Sequence, residues 1–416
     1  MSTVLSSPGV SQTKARRGRI HVLSVIDGLG FAGDETRLLS MSRNLDRERF
    51  EHSVLTLNPV AYGPADEYEA RRKQYLSAGV AVHDLAQISP EPARRFHGLP
   101  ALVYAKTGIL RKARRLAHVV RSLDIDVIDG RLESAGLIGA LAGRFSHTPA
   151  SITLYGGHTP QNAVAWPWPT RLALKLATRV ITDSGIRADQ MRALLKAAAS
   201  KVVLIPNGIA RPVSDRSPAG MRQQLGLPAD PRIRIVGQIG RLIEYKGHEV
   251  LIEAARKVLA SEPNTAFLLV GYTRRDSYRK HLLQMAQQFG IADRVVITEY
   301  QGDIADIWTV IDVHAHASLF DSLPISIAEG MSLAKPAAVT DVGGIPEMVQ
   351  HGETGLVVPA GDSDALSSAL LRLIREPALA RRLGENAQAR YEQRYRPEIM
   401  ARALEQQFTA MAARPF

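Results

Sequence analysis

The sequence predicts an α/β protein made of two doubly wound, parallel-sheet units in tandem, facing each other across a cleft. Three observations carry that prediction. The first half alternates short apolar runs with helix-spaced stretches, the alternation breaks over 210–232, and it then restarts and runs almost to the C-terminus. Strands that alternate with helices argue for a parallel sheet covered on both faces. At 416 residues the chain is also too long for one average domain, and two is the natural expectation.

In the first unit RIHVLSVID (19–27) is an apolar run followed by glycines, and ETRLLSMSRNL then carries helical spacing. FEHSVLTL (50–57), DVIDG (126–130), ASITLYGG (150–157) and RVITDS (179–184) continue the series, and KVVLIPNG (201–208) closes it. IARPVSDRSPAGMRQQLGLPADPR, rich in Pro, Gly and charge, reads as a linker. The second unit runs through IRIVGQIGRL (233–242), TAFLLVG (265–271), RVVITEY (294–300), VHAHAS (313–318), KPAAVTD (335–341) and TGLVVPAG (354–361). The expected division is therefore a basic, disordered tail over 1–18, domains over 19–210 and 211–395, and a last helix over 396–416 that could cross back to the first domain. In such sheets ligands sit at the C-terminal ends of the strands, and two facing units place both sets of ends on one cleft.

Composition narrows the class. Apolar residues make up 45% and charged residues 22%, as in ordinary soluble domains. No stretch approaches the roughly 20 apolar residues that span a bilayer, and MSTVLSSPGVSQTKARRGR lacks the apolar core of a signal peptide. The absence of cysteine excludes disulfides and cysteine metal sites and fits a reducing compartment, so a cytoplasmic protein is expected. The net charge of +11 favours anionic partners: nucleic acid, an anionic membrane surface or phosphorylated substrates. No nucleic-acid motif accompanies it. Between Pro92 and Leu123 stand eight basic residues and no acid, from Arg94 to Arg121, with an apolar stripe over Ile109, Leu110, Leu116, Val119 and Val120. This is a solvated face on a packing helix, or a peripheral contact with anionic lipid at the inner face of a membrane.

Four motifs carry chemistry. GLGFAG (28–33) follows the first strand and is a literal G-x-G-x-x-G, a pattern whose glycines let backbone and helix N-terminus approach a pyrophosphate. A dinucleotide site also wants an acid after the second strand, and Asn58 stands there. Phosphate contact by the Gly33 backbone and a tight turn without ligand both remain open. IGRLIEYKG (239–247) points two cations, Arg241 and Lys246, into the mouth of the cleft, where guanidinium and ammonium suit phosphate. In LFDSLPISIAEG (319–330) Asp321 precedes a helix and Glu329 lies inside it. Ser322 is expected as the N-cap with Pro324 in the first turn, which frees the backbone donors around Leu323 for an anion. GGIPE (343–347) repeats the device. Three further features have bland readings beside sharper ones. His314 and His316 share a strand face without a third metal ligand nearby in sequence. DID (124–126) reads as a turn leading into a strand, and AWPWP (165–169) as an acceptor-stacking loop or a plug on the core.

IPNGI (205–209), IGRLIEYKG, DSLPISIAEG and TDVGGIPEMVQHGETGLVVPAGD, in this order and spacing, resemble the family-4 group of retaining glycosyltransferases. The resemblance covers the second half closely and 28–209 more loosely. It implies the GT-B fold and transfer of a sugar from a nucleotide-sugar donor, a UDP-sugar foremost, to a hydroxyl acceptor that is lipid-linked or small. It implies that Glu329 binds the donor ribose and that Asp321, first in a D-x7-E version of the family's E-x7-E, faces the sugar. Arg241 and Lys246 would hold the diphosphate, Gly33 would reach it from the other domain, and the loop at Tyr300 and Gly302 would lie near the base. Backbone donors from Ser322 and Leu323 would face the sugar or phosphate. Where the family often has a His near the sugar this chain has Tyr155, with His158 three residues on, and either could do the work. No further cofactor and no metal are implied. A sugar-nucleotide epimerase, a non-catalytic nucleotide-sugar binding protein and, more distantly, an NAD oxidoreductase are the alternatives.

Overall fold

A computed structural model of the chain describes residues 18–30, 33–58, 65–89, 101–155, 166–273, 276–300 and 303–413, with the side chains of 101–107 excepted. Apart from Gly18, the expected N-terminal tail lies outside these residues, as do His158 and Gly302.

Among the described residues the first sheet has seven parallel strands: β1 (Ile20–Ile26), β2 (Phe50–Thr56), β3 (Ala81–Asp84), β4 (Val127–Arg131), β5 (Ala150–Leu154), β6 (Arg179–Thr182) and β7 (Val202–Leu204), in the order β3-β2-β1-β4-β5-β6-β7. The second has six: β8 (Arg234–Ile239), β9 (Thr265–Val270), β10 (Val295–Thr298), β11 (Val313–His316), β12 (Ala337–Thr340) and β13 (Leu356–Val358), in the order β10-β9-β8-β11-β12-β13. Strands buried on both faces read as continuous apolar runs rather than alternations, and TAFLLV of β9 is buried at every position. The four-residue edge strand β3, AVHD, is the one the apolar pattern does not announce.

Strand order reverses between β1 and β4 in the first sheet and between β8 and β11 in the second. Crevices at such switch points are where open α/β sheets take ligands. GLGFAG follows β1, IGRLIEYKG leads out of β8, and the Asp321 loop follows β11, so three of the four motifs fall on these crevices.

The helix Pro397–Ala412 lies against the first sheet. Met400, Leu404, Phe408 and Met411 are buried with Val22, Ile26, Leu38, Met41 and Phe50. Each such side chain contributes about 1.5–3 kcal/mol by leaving water. Gly208 permits the crossing, because a Cβ there would stand 2.6 Å from Met400 Cβ and 2.9 Å from the Arg396 carbonyl.

Candidate functional site

After β8 the chain makes a single turn of 3-10 helix, Glu244–Lys246, and leaves through Gly247 at φ 66°. Gln238 fastens this turn to the end of β11. Its Nε2 donates to the Lys246 carbonyl at 2.8 Å and its Oε1 accepts from the Ala317 amide at 3.0 Å. The Lys246 ammonium is thereby brought onto Asp321 Oδ2 in an ion pair. The same oxygen accepts from His316 Nε2 at 2.9 Å and Ser318 Oγ at 3.2 Å, while Oδ1 accepts from the Ser322 amide at 3.1 Å. Burial would raise the Asp321 pKa, but Lys246 and His316 outweigh it and hold the carboxyl well below the usual range. Arg241 stays exposed and donates to the Tyr245 hydroxyl.

The helix carrying Glu329 spans Ile325–Ser332, with Pro324 as its N-cap. This corrects the expected cap at Ser322. A carboxylate of the other domain competes for that hydroxyl: Ser322 Oγ donates to Asp183 Oδ1 at 2.8 Å. The first-turn amides of such a helix have no intrahelical partner, and Gly33 stands opposite, with Ile325 Cδ1 3.5 Å from where its Cβ would be. Glu329 lies in the second turn and accepts from Trp308 Nε1 at 3.0 Å. Burial pushes its pKa up to about 7, against the Trp308 hydrogen bond and with help from Asp303. Tyr300 follows the edge strand β10, and its hydroxyl donates to Asp306 Oδ2 at 2.7 Å.

GGIPE does not present a second open helix start. Its helix, Ile345–Met348, is one turn long. The Gly344 amide is used by the Ser322 carbonyl at 3.0 Å. Gly343, at φ 54°, lies so close to the Asp321 carbonyl that a Cβ would sit 1.8 Å from it. Glu347 instead reaches the other domain, accepting from the Gly185 and Ile186 amides at 2.8 and 3.0 Å, at the start of the helix Gly185–Leu195.

On the first domain's edge of the cleft, Arg131 is 1% exposed between Asp34 at 2.6 Å and Asp129 at 3.0 Å. It also donates to the Tyr155 hydroxyl at 2.7 Å, and the Arg37 guanidinium lies 3.8 Å from the Tyr155 ring centre. Arg37 donates to Asn207 Oδ1 at 2.6 Å, and Asn207 Nδ2 donates to the Leu323 carbonyl at 2.8 Å. This chain connects Tyr155 to the loop that bears Asp321. Sequence reasoning overlooked Asp34, Arg131, Asn207, His316 as a partner of Asp321, and Glu347. Asp129 and Arg131 did leave a signal, since charged residues in a buried strand require partners.

His314 lies edge-on to Trp308, ring centres 5.1 Å apart. Among the described residues no group of three or more His, Asp and Glu side chains is placed to hold a metal ion. None of the described helices is long and apolar enough to cross a membrane.

Residues 32–208 match the family described as glycosyl transferase 4-like domain, and residues 221–390 match glycosyl transferases group 1. Each half of the chain thus matches a glycosyltransferase family. Gly33, Asp34, Arg131 and Asn207 fall in the first match; Arg241, Lys246, Asp321 and Glu329 fall in the second. The chain is 28% identical to an alpha-D-kanosaminyltransferase of Streptomyces kanamyceticus over 226 residues, 53% of this chain and 57% of that protein. It is 29% identical to a D-inositol 3-phosphate glycosyltransferase of Actinosynnema mirum over 222 residues, 51% of this chain and 52% of that protein. The alignments thus span little more than half the length of these two relatives. The fold is the two-domain GT-B arrangement of known structures. HepE of Anabaena in complex with UDP and glucose superposes with a TM-score of 0.74 at 21% identity, covering 94% of this chain and all of that one. Sucrose-phosphate synthase of Thermosynechococcus elongatus superposes with a TM-score of 0.70 at 20% identity, covering 95% and 100%.

Proposed function

We propose that this protein transfers a sugar from a nucleoside-diphosphate sugar, in first place a UDP-sugar, to a hydroxyl acceptor with retention at the anomeric carbon. The observation that carries the reading is the convergence of Lys246, Asp321 and the start of the helix Ile325–Ser332 opposite Gly33. Lys246 and Arg241 hold the diphosphate, with the first-turn amides and the Gly33 backbone as further donors. Glu329 accepts from the ribose hydroxyls, and Asp321 faces the sugar. Tyr300 lies toward the base. Tyr155 or His158 lines the sugar side from the other domain.

The bond between the anomeric carbon and the diphosphate oxygen breaks as the acceptor oxygen bonds to the same face. The acceptor proton passes to the departing phosphate. Preorganised cations and amides stabilise the charge that grows on the leaving group, and domain closure keeps water from taking the acceptor's place. This scheme asks for no metal and no cofactor beyond the donor. The UDP and glucose bound to HepE support the choice of donor. The acceptor is a small hydroxyl compound or a lipid-linked one. For the latter, contact with anionic lipid at the inner face of a membrane is supported by the basic stretch, in which Arg114 and Leu110 are exposed. Arg115 and Arg121 are instead engaged by the carbonyls of Leu85 and Phe145 at 2.9 and 2.7 Å.

The test is proton NMR of the protein with UDP-glucose, UDP-galactose or UDP-N-acetylglucosamine and a panel of polyol and alkyl-glycoside acceptors. The expected result is acceptor-dependent release of UDP with an α-linked product. A β-linked product would overturn retention, and isomerisation of the free donor without acceptor would make the protein an epimerase.

A further inference from the structure

We propose that His316 is a positioning residue for Asp321, which takes over the carboxylate when Lys246 moves to the donor diphosphate and gains a proton as it does so. The inference rests on the assignment of Lys246 to the diphosphate.

Among the described residues Asp321 Oδ2 has three donors, Lys246, His316 and Ser318, and the Lys246 and Asp321 side chains are only 13% and 15% exposed. A diphosphate that draws the ammonium to itself leaves Asp321 both short of its cation and beside new negative charge. A buried carboxylate without compensation is strongly unfavourable. His316 is the nearest remedy, because it is 1% exposed and Nε2 already stands 2.9 Å from Oδ2.

Its other nitrogen faces Ser326 Oγ on the helix Ile325–Ser332 at 3.5 Å. A serine hydroxyl donates to a neutral Nδ1 or accepts from a protonated one, so the imidazole can be charged without a new partner. Four titratable groups act on it. Asp321 favours the imidazolium and Lys246 opposes it, after burial, the largest influence, which also opposes it. His314, 6.0 Å away along β11, and His248 from the helix His248–Ser261 are each pushed to about 3 by burial, so they stay neutral and do not compete for the proton. Departure of Lys246 and arrival of phosphate charge act in the same direction. The proton comes from solvent and leaves again with the nucleotide.

The experiment is isothermal titration of UDP into wild-type protein and into His316→Gln at pH 7, in buffers of different ionisation enthalpy. Gln keeps an amide donor for Asp321 but cannot be protonated. The expected wild-type uptake exceeds that of His316→Gln by about 0.3–1 proton per UDP, with UDP affinities at pH 8 within about 3-fold of each other. His316→Phe, which removes the donor, should lose about 10-fold or more in affinity. Equal buffer dependence in wild type and His316→Gln would overturn the inference. Should the variants fail to fold, the histidine 15N spectrum of the wild type decides, because the absence of any imidazole that becomes protonated when UDP is added at pH 7 contradicts it. If UDP, GDP and ADP all fail to bind wild type, the donor reading falls and this inference with it, a result distinct from UDP binding without a proton from His316.

Discussion

At the end of β4 the first domain encloses Arg131, 1% exposed, between two carboxylates, Asp34 and Asp129. At the end of β8 the second domain leaves Arg241 at the surface and sets the partly accessible Lys246 against Asp321. Both cations stand where a parallel sheet meets the cleft. The first is fully compensated inside the protein and acts as architecture. The second is compensated, among the described residues, by a single carboxylate, and under the proposed function it is the cation that turns to the donor diphosphate. Equal charges on the two sides of the cleft are therefore held differently, set by how many partners the fold supplies.

Removal of Arg131 should produce the largest effect. Arg131→Met leaves Asp34 and Asp129 buried without their cation and should cost about 3–5 kcal/mol, read as a shift of the urea midpoint. A loss below about 1 kcal/mol would break the contrast, since Arg131 would then be no more structural than Lys246.

Glu329 is a buried carboxylate that faces Trp308 rather than a cation. Its folded-state pKa, about 7, lies above the ordinary 4.5. Between these values the folded state holds the extra proton. Its contribution is present below pH 4.5 and lost as pH rises through 7. Glu329→Gln should flatten that decline by about 2–3 kcal/mol, at roughly 1.4 kcal/mol per pKa unit, in stability curves from pH 4.5 to 8. Glu35, also raised to about 7 by burial, accounts for slope that remains. An unchanged slope in the variant would place the Glu329 carboxylate in contact with water.

Lys246→Ala should weaken nucleoside-diphosphate binding about 10- to 100-fold, the worth of one charge-assisted contact, while shifting the urea midpoint less than Arg131→Met. Competition against a fluorescent nucleotide reads the first quantity. The reverse order, large destabilisation with intact binding, would make Lys246 a second Arg131. The smallest effect belongs to Glu347→Ala, which removes two amide contacts between the domains. It should cost about 1 kcal/mol and raise the UDP dissociation rate in stopped flow. Unchanged dissociation would limit Glu347 to capping the helix Gly185–Leu195.

The sheets were legible because strands buried on both faces write their pattern locally, as TAFLLV does. The helix that contains Glu329 is legible for a similar reason: Pro324 and the apolar run after it mark a start. Its cap was misplaced because Ser322 answers to Asp183, 139 residues away, and cap rules see only a few neighbours. Glu347 was hidden by the same distance, since its partners are amides of the other domain. Arg131 could have been suspected, as two charged residues in a buried strand need counter-charges, but Asp34 is found only once β1 and β4 are neighbours. In sequence His316 reads as half of an H-x-H pair. Its real partner, Asp321, is five residues on and is brought back by the turn after β11.

The most direct test of the nucleotide cleft is calorimetric titration of the wild-type protein with UDP, GDP, ADP, dTDP and NAD under one set of conditions. UDP is expected to bind best, and NAD is expected not to compete for its site. Preference for NAD, or failure of every nucleoside diphosphate to bind, would contradict that expectation.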